Sequence, residues 1–548
     1  MSEISDDVFA AHVDHDTLEA NLRAKQSPHP GTESEVHSVT TEYFDVVIVG
    51  AGLSGVGAAY HLQEQCPGKR YVILEGRDSM GGTWDLFRYP GVRSDSDMYT
   101  LGYNFKPWRE AKAIADGPSI LNYVKETAAE NGIDKHIRYR HRVKRAAWST
   151  ADAAWTVEAE RTDTGQTVRL QCNFLSMCAG YYSYEHGYAP EFKGRERFAG
   201  KIVHPQEWPE DLDYRGKKVV VIGSGATAVT LVPEMAKDAE HVVMLQRSPT
   251  YVVSRPDKDA IANFLRKILP ERLAYAITRW KNTAYQQFVY RRTRTHPQDV
   301  KKRILDMVRK ELGPDYDVAT HFTPRYNPWD QRLCLVPNSD LFLSINSGKT
   351  SVVTDQIDSF TENGIRLKSG QELPADIIVT ATGLNLVVLG NAQFAVDGKP
   401  VNFPETFSYK GMMYSDVPNL VSTFGYINAS WTLRADLTAE YVCRLINHMD
   451  ERGTRRCTPR LREQDRNMPA RRWIDGFSSG YMQRVMHLFP KQGDREPWIN
   501  PQNYARDKKM IRHGAIEDGV LIFDNPVPAV RPKVSRRADS EALTASRS

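Results

Sequence analysis

Long apolar runs are missing from this chain of 548 residues. No stretch approaches the roughly 18 consecutive apolar residues of a membrane-spanning helix, so no such anchor is expected and only peripheral membrane contact stays open. Cysteine is scarce. Its six positions (Cys66, Cys172, Cys178, Cys334, Cys443 and Cys457) are scattered without the paired spacing of a metal site. That distribution implies neither metal nor disulfide framework and reads as reduced thiols in a cytoplasmic protein. An excess of one charge is also absent. The 72 Lys and Arg stand against 68 Asp and Glu, a net charge of +4, which gives no reason to expect nucleic acid as a partner. No repeat of solenoid length recurs. The polar, acidic start carries the pattern of neither a signal nor a transit peptide. Oligomeric state leaves no readable mark.

What is present is an ordinary globular composition, with 41% hydrophobic and 26% charged residues. The length suits about three or four domains of roughly 150 residues, or fewer large ones. Residues 1–43 read as a flexible arm with one short helix around Asp16 to Lys25, and residues 531–548 as a flexible tail.

Between these ends a strand, a glycine turn and a helix occur twice. The first unit is the apolar run Phe44 to Val49, followed by the turn from Gly50 to Gly55. Gly50 permits the bend, Gly52 lets backbone approach a pyrophosphate, and Gly55 lets helix and strand pack closely. The phosphates then sit on the helix N-terminus. A second strand, Tyr71 to Leu74, ends in Glu75, about 20 residues on, where a carboxylate suits two ribose hydroxyls.

The other unit is Lys218 to Ile222, followed by Gly223, Ser224, Gly225, Ala226, Thr227 and Ala228. Its next strand, His241 to Leu245, ends in Gln246 and Arg247 with no acid. A carboxylate would repel a 2′-phosphate and an arginine can pair with it, so this site should prefer NADPH to NADH. Two turns imply two dinucleotides and electron traffic between them. Two further strands run into Ala179-Gly180 and Thr382-Gly383, small residues suited to chain crossings that pass close to a cofactor. Residues 260–312 are basic with spaced apolar positions and read as helices inserted over the nucleotide domain. The expected fold class is α/β, with two Rossmann-like dinucleotide-binding domains and a helical insertion.

Two motifs narrow the class. The stretch Phe198 to Pro209 places Phe198, Gly200, His204 and Trp208 in the order F-x-G-x-x-x-H-x-x-x-W-P. The stretch from Gly81 through Thr83, Trp84 and Tyr89-Pro90-Gly91 to Asp95 has a second fixed spacing. Both patterns resemble the fingerprints of type I Baeyer–Villiger monooxygenases. The segments Asn327 to Pro337 and Gly425 to Leu433 further resemble the ethionamide-activating branch of those enzymes. The likeness runs from about Phe44 to about Asp524, and the N-terminal arm is outside it.

That resemblance implies a flavin domain formed by residues 44–185 and 386–530, split by an NADPH domain at 186–385 that carries the helical insertion at about 260–312. It implies that Ser54, Glu75, Thr83, Trp84, Asp85, Leu86, Asp95 and Val143 surround FAD, and that Arg93, Ser94 and Asp95 lie where flavin meets nicotinamide. Gly223 to Val229, with Gln246 and Arg247, would hold NADPH. Arg332 matches the active-site arginine and Asp95 is its candidate partner. The implied reaction takes NADPH and O2, forms a C4a-peroxyflavin, and converts a ketone to an ester, with open-chain or aryl methyl ketones expected and sulfoxidation as a companion activity. A fixed guanidinium would stabilise the anionic oxidant. The place of His204 in a linker favours a structural or hinge role, helped by Trp208, over proton transfer.

Three alternatives are weighed against this. A disulfide reductase needs a close cysteine pair near the flavin, and none occurs. A non-catalytic sensor would have no use for Arg332 and two complete turns. An N- or S-oxygenating flavin enzyme is the serious rival; it works through a protonated hydroperoxyflavin and needs no arginine-stabilised anion.

Overall fold

The run Phe44 to Val49 is continuously apolar because the strand it forms is covered on both faces. That strand, Glu42–Val49, lies parallel to Tyr71–Leu74 on one side and to Thr167–Met177 on the other. The computed structural model describes residues 41–526, so the expected tail and the short helix around Asp16 to Lys25 lie outside the described residues. The first strand begins at Glu42, slightly ahead of the boundary expected for the arm.

Two sheets organise the chain. The larger has nine strands. Its path runs from Lys399–Pro400 through Gln393–Val396, His141–Ser149, Ala154–Arg161 and Thr167–Met177 to Glu42–Val49, Tyr71–Leu74 and Ile137–Arg138, with Leu420–Ser422 also on Thr167–Met177. The smaller has five strands, all parallel. In order they are Thr350–Thr354, His241–Gln246, Lys218–Ile222, Ile377–Thr380 and Lys201–Val203. The larger sheet draws strands from both sides of the smaller one in sequence. The chain leaves and returns through one antiparallel pair, Tyr182–Gly187 with Leu384–Leu386.

Both glycine turns are pressed against the end of a neighbouring strand. Gly50 has φ +103°, and a Cβ there would stand 2.6 Å from the carbonyl oxygen of Cys178. Gly223 has φ +139°, and its Cβ would stand 2.3 Å from the carbonyl oxygen of Ala381. The two small-residue strand ends singled out in the sequence are thus the partners of the two turns.

Residues 260–312 form three helices, Ala260–Ile268, Glu271–Thr295 and Pro297–Leu312. They do not simply cover one domain. Ala262 and Tyr275 pack into the core beneath the larger sheet, whereas Leu305, Val308 and Leu312 pack into the core of the smaller. Among the described residues, no helix is long and apolar enough to cross a membrane, and no cluster of side chains is suited to a metal ion. All six cysteines are buried and free.

Candidate active site

A cavity of about 480 Å³ opens along the first glycine turn and reaches the second, a size usual for small-molecule and cofactor sites. Its floor is backbone. A Cβ on Gly52 would meet only backbone of Gly82, its Cα at 3.5 Å and its N at 3.8 Å, so two glycines face each other with no side chain between them. Glu75, itself buried, lines the cavity. Its carboxylate accepts from Ala51 N at 2.8 Å and Arg77 N at 3.0 Å, leaving lone pairs for hydroxyl donors. Burial pushes its pKa up against those hydrogen bonds.

At the other end lies Arg332, whose Nη2 is 2.9 Å from Asp95 Oδ2. About a third of the Arg332 side chain is accessible, and that surface faces the cavity. The Asp95 carboxylate holds the guanidinium pKa well above its ordinary value, which secures its charge. The phenols of Tyr181, Tyr182 and Tyr481 stand around it. Tyr181 stacks on Trp431 with centroids 5.2 Å apart, and the Trp431 indole donates to Ser54 Oγ at 2.7 Å. An aromatic wall thereby links the arginine to the helix of the first turn.

Of the residues expected here, Gly50, Gly52, Ser54, Glu75, Thr83, Trp84, Arg93, Ser94, Asp95, Val143, Ala226, Thr227 and Arg332 line this cavity. Arg93 donates to Asp340 at 2.6 Å through Nη1, while its buried Nη2 has no partner. A buried cationic donor left open is costly, and an acceptor-rich dinucleotide would satisfy it.

Other expected residues do not face the cavity. Gly55 lies under the helix, where a Cβ would come within 1.9 Å of Gly50 O. Asp85 is buried and pairs with Arg77 at 2.9 Å, and Leu86 follows it on the same short helix. Ala228 and Val229 fill the core of the smaller sheet. Gln246 is a correction in kind. Its amide nitrogen is engaged inside the fold, donating to His321 O at 2.7 Å and Thr354 Oγ1 at 2.9 Å, because the strand end is buried there. Ser224 bonds to Thr250 Oγ1 at 3.0 Å. Arg247 is exposed, with no ion-pair partner among the described residues. A Cβ on Gly225 would meet no protein atom within 4 Å, so the packing does not demand glycine there and an approaching ligand would.

The Phe198 to Pro209 motif is also away from the cavity. Phe198 packs with Phe360, a Cβ on Gly200 would strike Asp376 O at 2.3 Å, and Trp208 packs on the core of the smaller sheet. His204 accepts from Gln206 N at 3.1 Å through Nδ1, which leaves Nε2–H to donate to Gly383 O at 3.1 Å. Its ring occupies the space a Cβ on Gly187 would need. His204 therefore clasps both strands of the crossing pair, and burial holds its pKa below the ordinary value.

Residues 112–389 match the family described as flavin-binding monooxygenase-like, and residues 48–111 an NAD(P)-binding Rossmann-like domain. The FAD-containing monooxygenase EthA of Mycobacterium tuberculosis is 56% identical over 490 residues, which span 89% of this chain and 99% of that protein. The chain belongs to the flavin-binding monooxygenase family.

Another member of this family, the EthA of Mycolicibacterium smegmatis, is 54% identical over 491 residues, spanning 89% of this chain and 99% of its own length. The expected kinship with the ethionamide-activating branch is borne out. An oxidized steroid monooxygenase bound to NADP superposes with a TM-score of 0.70 at 22% identity, covering 88% of this chain and all of that one. That likeness establishes the two-sheet α/β fold. This flavin-binding monooxygenase is an oxidoreductase whose cofactors are FAD and a nicotinamide dinucleotide.

Much of the wall was not legible in the sequence. Tyr182 and Tyr184 line the cavity from the crossing strand, with Tyr181 just ahead of it and Leu384 from its partner. The one available signal was the tyrosine-rich run directly after Gly180.

Proposed function

We propose that this monooxygenase converts ketones to esters with NADPH and O2, a Baeyer–Villiger oxidation. The observation that carries the reading is the Arg332–Asp95 ion pair inside the cavity that begins at the first glycine turn. FAD would lie along Gly52, Glu75 and Val143, and when bound it supplies the redox chemistry, taking a hydride from NADPH and activating O2. The larger sheet is assigned to FAD and the smaller, which interrupts it in sequence, to NADPH.

The chain's own residues would do the following. Glu75 binds ribose hydroxyls. Arg93 offers its open Nη2 where the two dinucleotides meet. Arg247, with no acid beside it, pairs a 2′-phosphate and selects NADPH over NADH. Arg332 stabilises negative charge on the oxidising oxygen and then on the adduct formed with the ketone carbonyl, in place before the reaction begins. Asp95 positions that guanidinium. Tyr181 and Trp431 keep water from one side of the site.

The substrate class proposed is open-chain or aryl methyl ketones, supported by kinship with the EthA enzymes. Six buried, free thiols fit residence in a reducing cytoplasm. A sulfur- or nitrogen-oxygenating enzyme would use a protonated oxidant and have no need of a paired arginine. The test is to reduce the holoenzyme anaerobically with NADPH, then add O2 and 2-octanone, and follow flavin spectra and products together. Hexyl acetate or methyl heptanoate is expected. Release of hydrogen peroxide with the ketone untouched, while an added sulfide is oxidised, would sink the proposal.

A further inference from the structure

The helix Glu271–Thr295 turns its polar face inward. Arg279 donates to the carbonyl oxygens of Tyr99 at 2.9 Å and Gly102 at 2.6 Å, and to Asp436 at 3.2 Å. Asn282 and Gln286 each donate to the Asp97 carboxylate at 3.0 Å. Apart from the buried Ala274 and Tyr275, most of its large apolar residues face solvent instead. Leu273, Ile277, Trp280 and Phe288 follow one flank at helical spacing, with Trp280 73% and Phe288 60% exposed. The preceding helix, Ala260–Ile268, adds Ile261, Phe264 and Ile268 at positions i, i+3 and i+7. Eight of the twelve large hydrophobic residues exposed among the described residues lie between Ile261 and Phe288. A monomer rarely leaves so continuous an apolar patch to water.

The charge around this patch is one-sided. Residues 260–295 contain eight Lys and Arg and a single acid, Glu271. Glu271 is itself engaged by Arg109 at 2.7 Å. Lys267, Arg272 and Arg291 are exposed and have no ion-pair partner among the described residues. A two-fold contact between copies would set this cationic rim against itself, at a cost in repulsion. An apolar flank carrying Trp and Phe, edged by uncompensated Lys and Arg, has the composition of a helix lying in the headgroup plane of a membrane.

We propose that the helices Ala260–Ile268 and Glu271–Thr295 seat the protein on an anionic lipid bilayer. The apolar flank enters the headgroup boundary and the cations pair with lipid phosphates. This docking does not depend on the ketone reading.

The test is flotation of the full FAD-loaded chain with mixed phosphatidylglycerol–phosphatidylcholine vesicles and with pure phosphatidylcholine vesicles. Recovery with the anionic vesicles should exceed that with neutral ones at least about tenfold and fall as salt screens the charges. The double variant Trp280→Ser, Phe288→Ser should lose at least about tenfold of that recovery. Its flavin spectrum and its NADPH-dependent O2 uptake should be unchanged. Wild-type protein that stays in the soluble fraction overturns the proposal. So does a variant that floats like the wild type, since another surface would then carry the binding. Light scattering that finds the variant in a smaller assembly, with no vesicle binding by the wild type, would assign the face to a second copy.

Discussion

Arg332 Nη2 and Asp95 Oδ2 stand 2.9 Å apart although the two residues are distant in sequence. Asp95 belongs to the segment that follows the first glycine unit, and Arg332 immediately precedes the strand Cys334–Pro337, which is paired with Val252–Arg255 beside the smaller sheet. The pair is a joint between parts of the chain built around different sheets. A guanidinium held in this way keeps its charge and its direction, which is what electrostatic stabilisation of a developing anion requires.

Removing that guanidinium should separate the two halves of the catalytic cycle. In Arg332→Ala, NADPH should still reduce the flavin at near the wild-type rate, while ester formation drops about 10²- to 10³-fold. Stopped-flow reduction and product analysis on the same preparation decide it; an unchanged ester yield would place the anion's stabilisation elsewhere. Asp95→Asn should cost less, since the arginine remains but loses its anchor.

Arg247 tests the dinucleotide preference. Arg247→Ala should raise KM for NADPH by roughly ten- to a hundredfold, the scale of one charge-assisted pair, and leave KM for NADH unchanged. Equal weakening of both cofactors would mean that Arg247 supports the loop and does not read the 2′-phosphate.

The two glycines of the second turn should respond differently to alanine. Gly223→Ala places a Cβ against Ala381 O at φ +139°, so about 1–3 kcal/mol or more of stability is lost and Tm falls. Gly225→Ala meets no protein atom. It should keep the wild-type Tm yet bind NADPH at least about tenfold more weakly. Binding by Gly225→Ala at full strength would argue against a close backbone approach there.

His204 gives a pH signature. Burial lowers its folded-state pKa, so the neutral ring is the stabilising form. That contribution is complete above the unfolded value of about 6.5 and is lost as pH falls below it, because the unfolded chain then takes up a proton that the folded one refuses. Tm of the wild type should decline between about pH 7 and pH 5.5, and His204→Gln should flatten that part of the decline. A variant with the same slope would assign the acid sensitivity to other groups such as His321, whose pKa is likewise lowered by burial.

Local physics wrote much of this molecule into the sequence. The buried strands at Val46 and Val219, the bends at Gly50 and Gly223, and the Glu75 carboxylate at the end of the second strand are each fixed by neighbours close in the chain, so they were legible as periodicity and spacing. The family was legible in the motifs around Trp84 and Phe198. Contacts between distant segments were not. Gln246 looked like a ligand because it ends a strand, but its amide nitrogen is engaged by His321 and Thr354, which only folding brings near.

The sequence by itself determined the two glycine turns, the parallel strands behind them and the presence of Arg332, because strand burial and tight bends depend on residue type and short spacing. Tertiary structure alone decided that Asp95 faces Arg332, that His204 clasps Gly187 and Gly383, and that Glu271–Thr295 turns its polar face inward. Each of these involves a partner distant in the chain, such as Gly383 for His204 and Asp436 for Arg279. The pairing is settled by which surfaces the two sheets leave for the rest of the chain to cover.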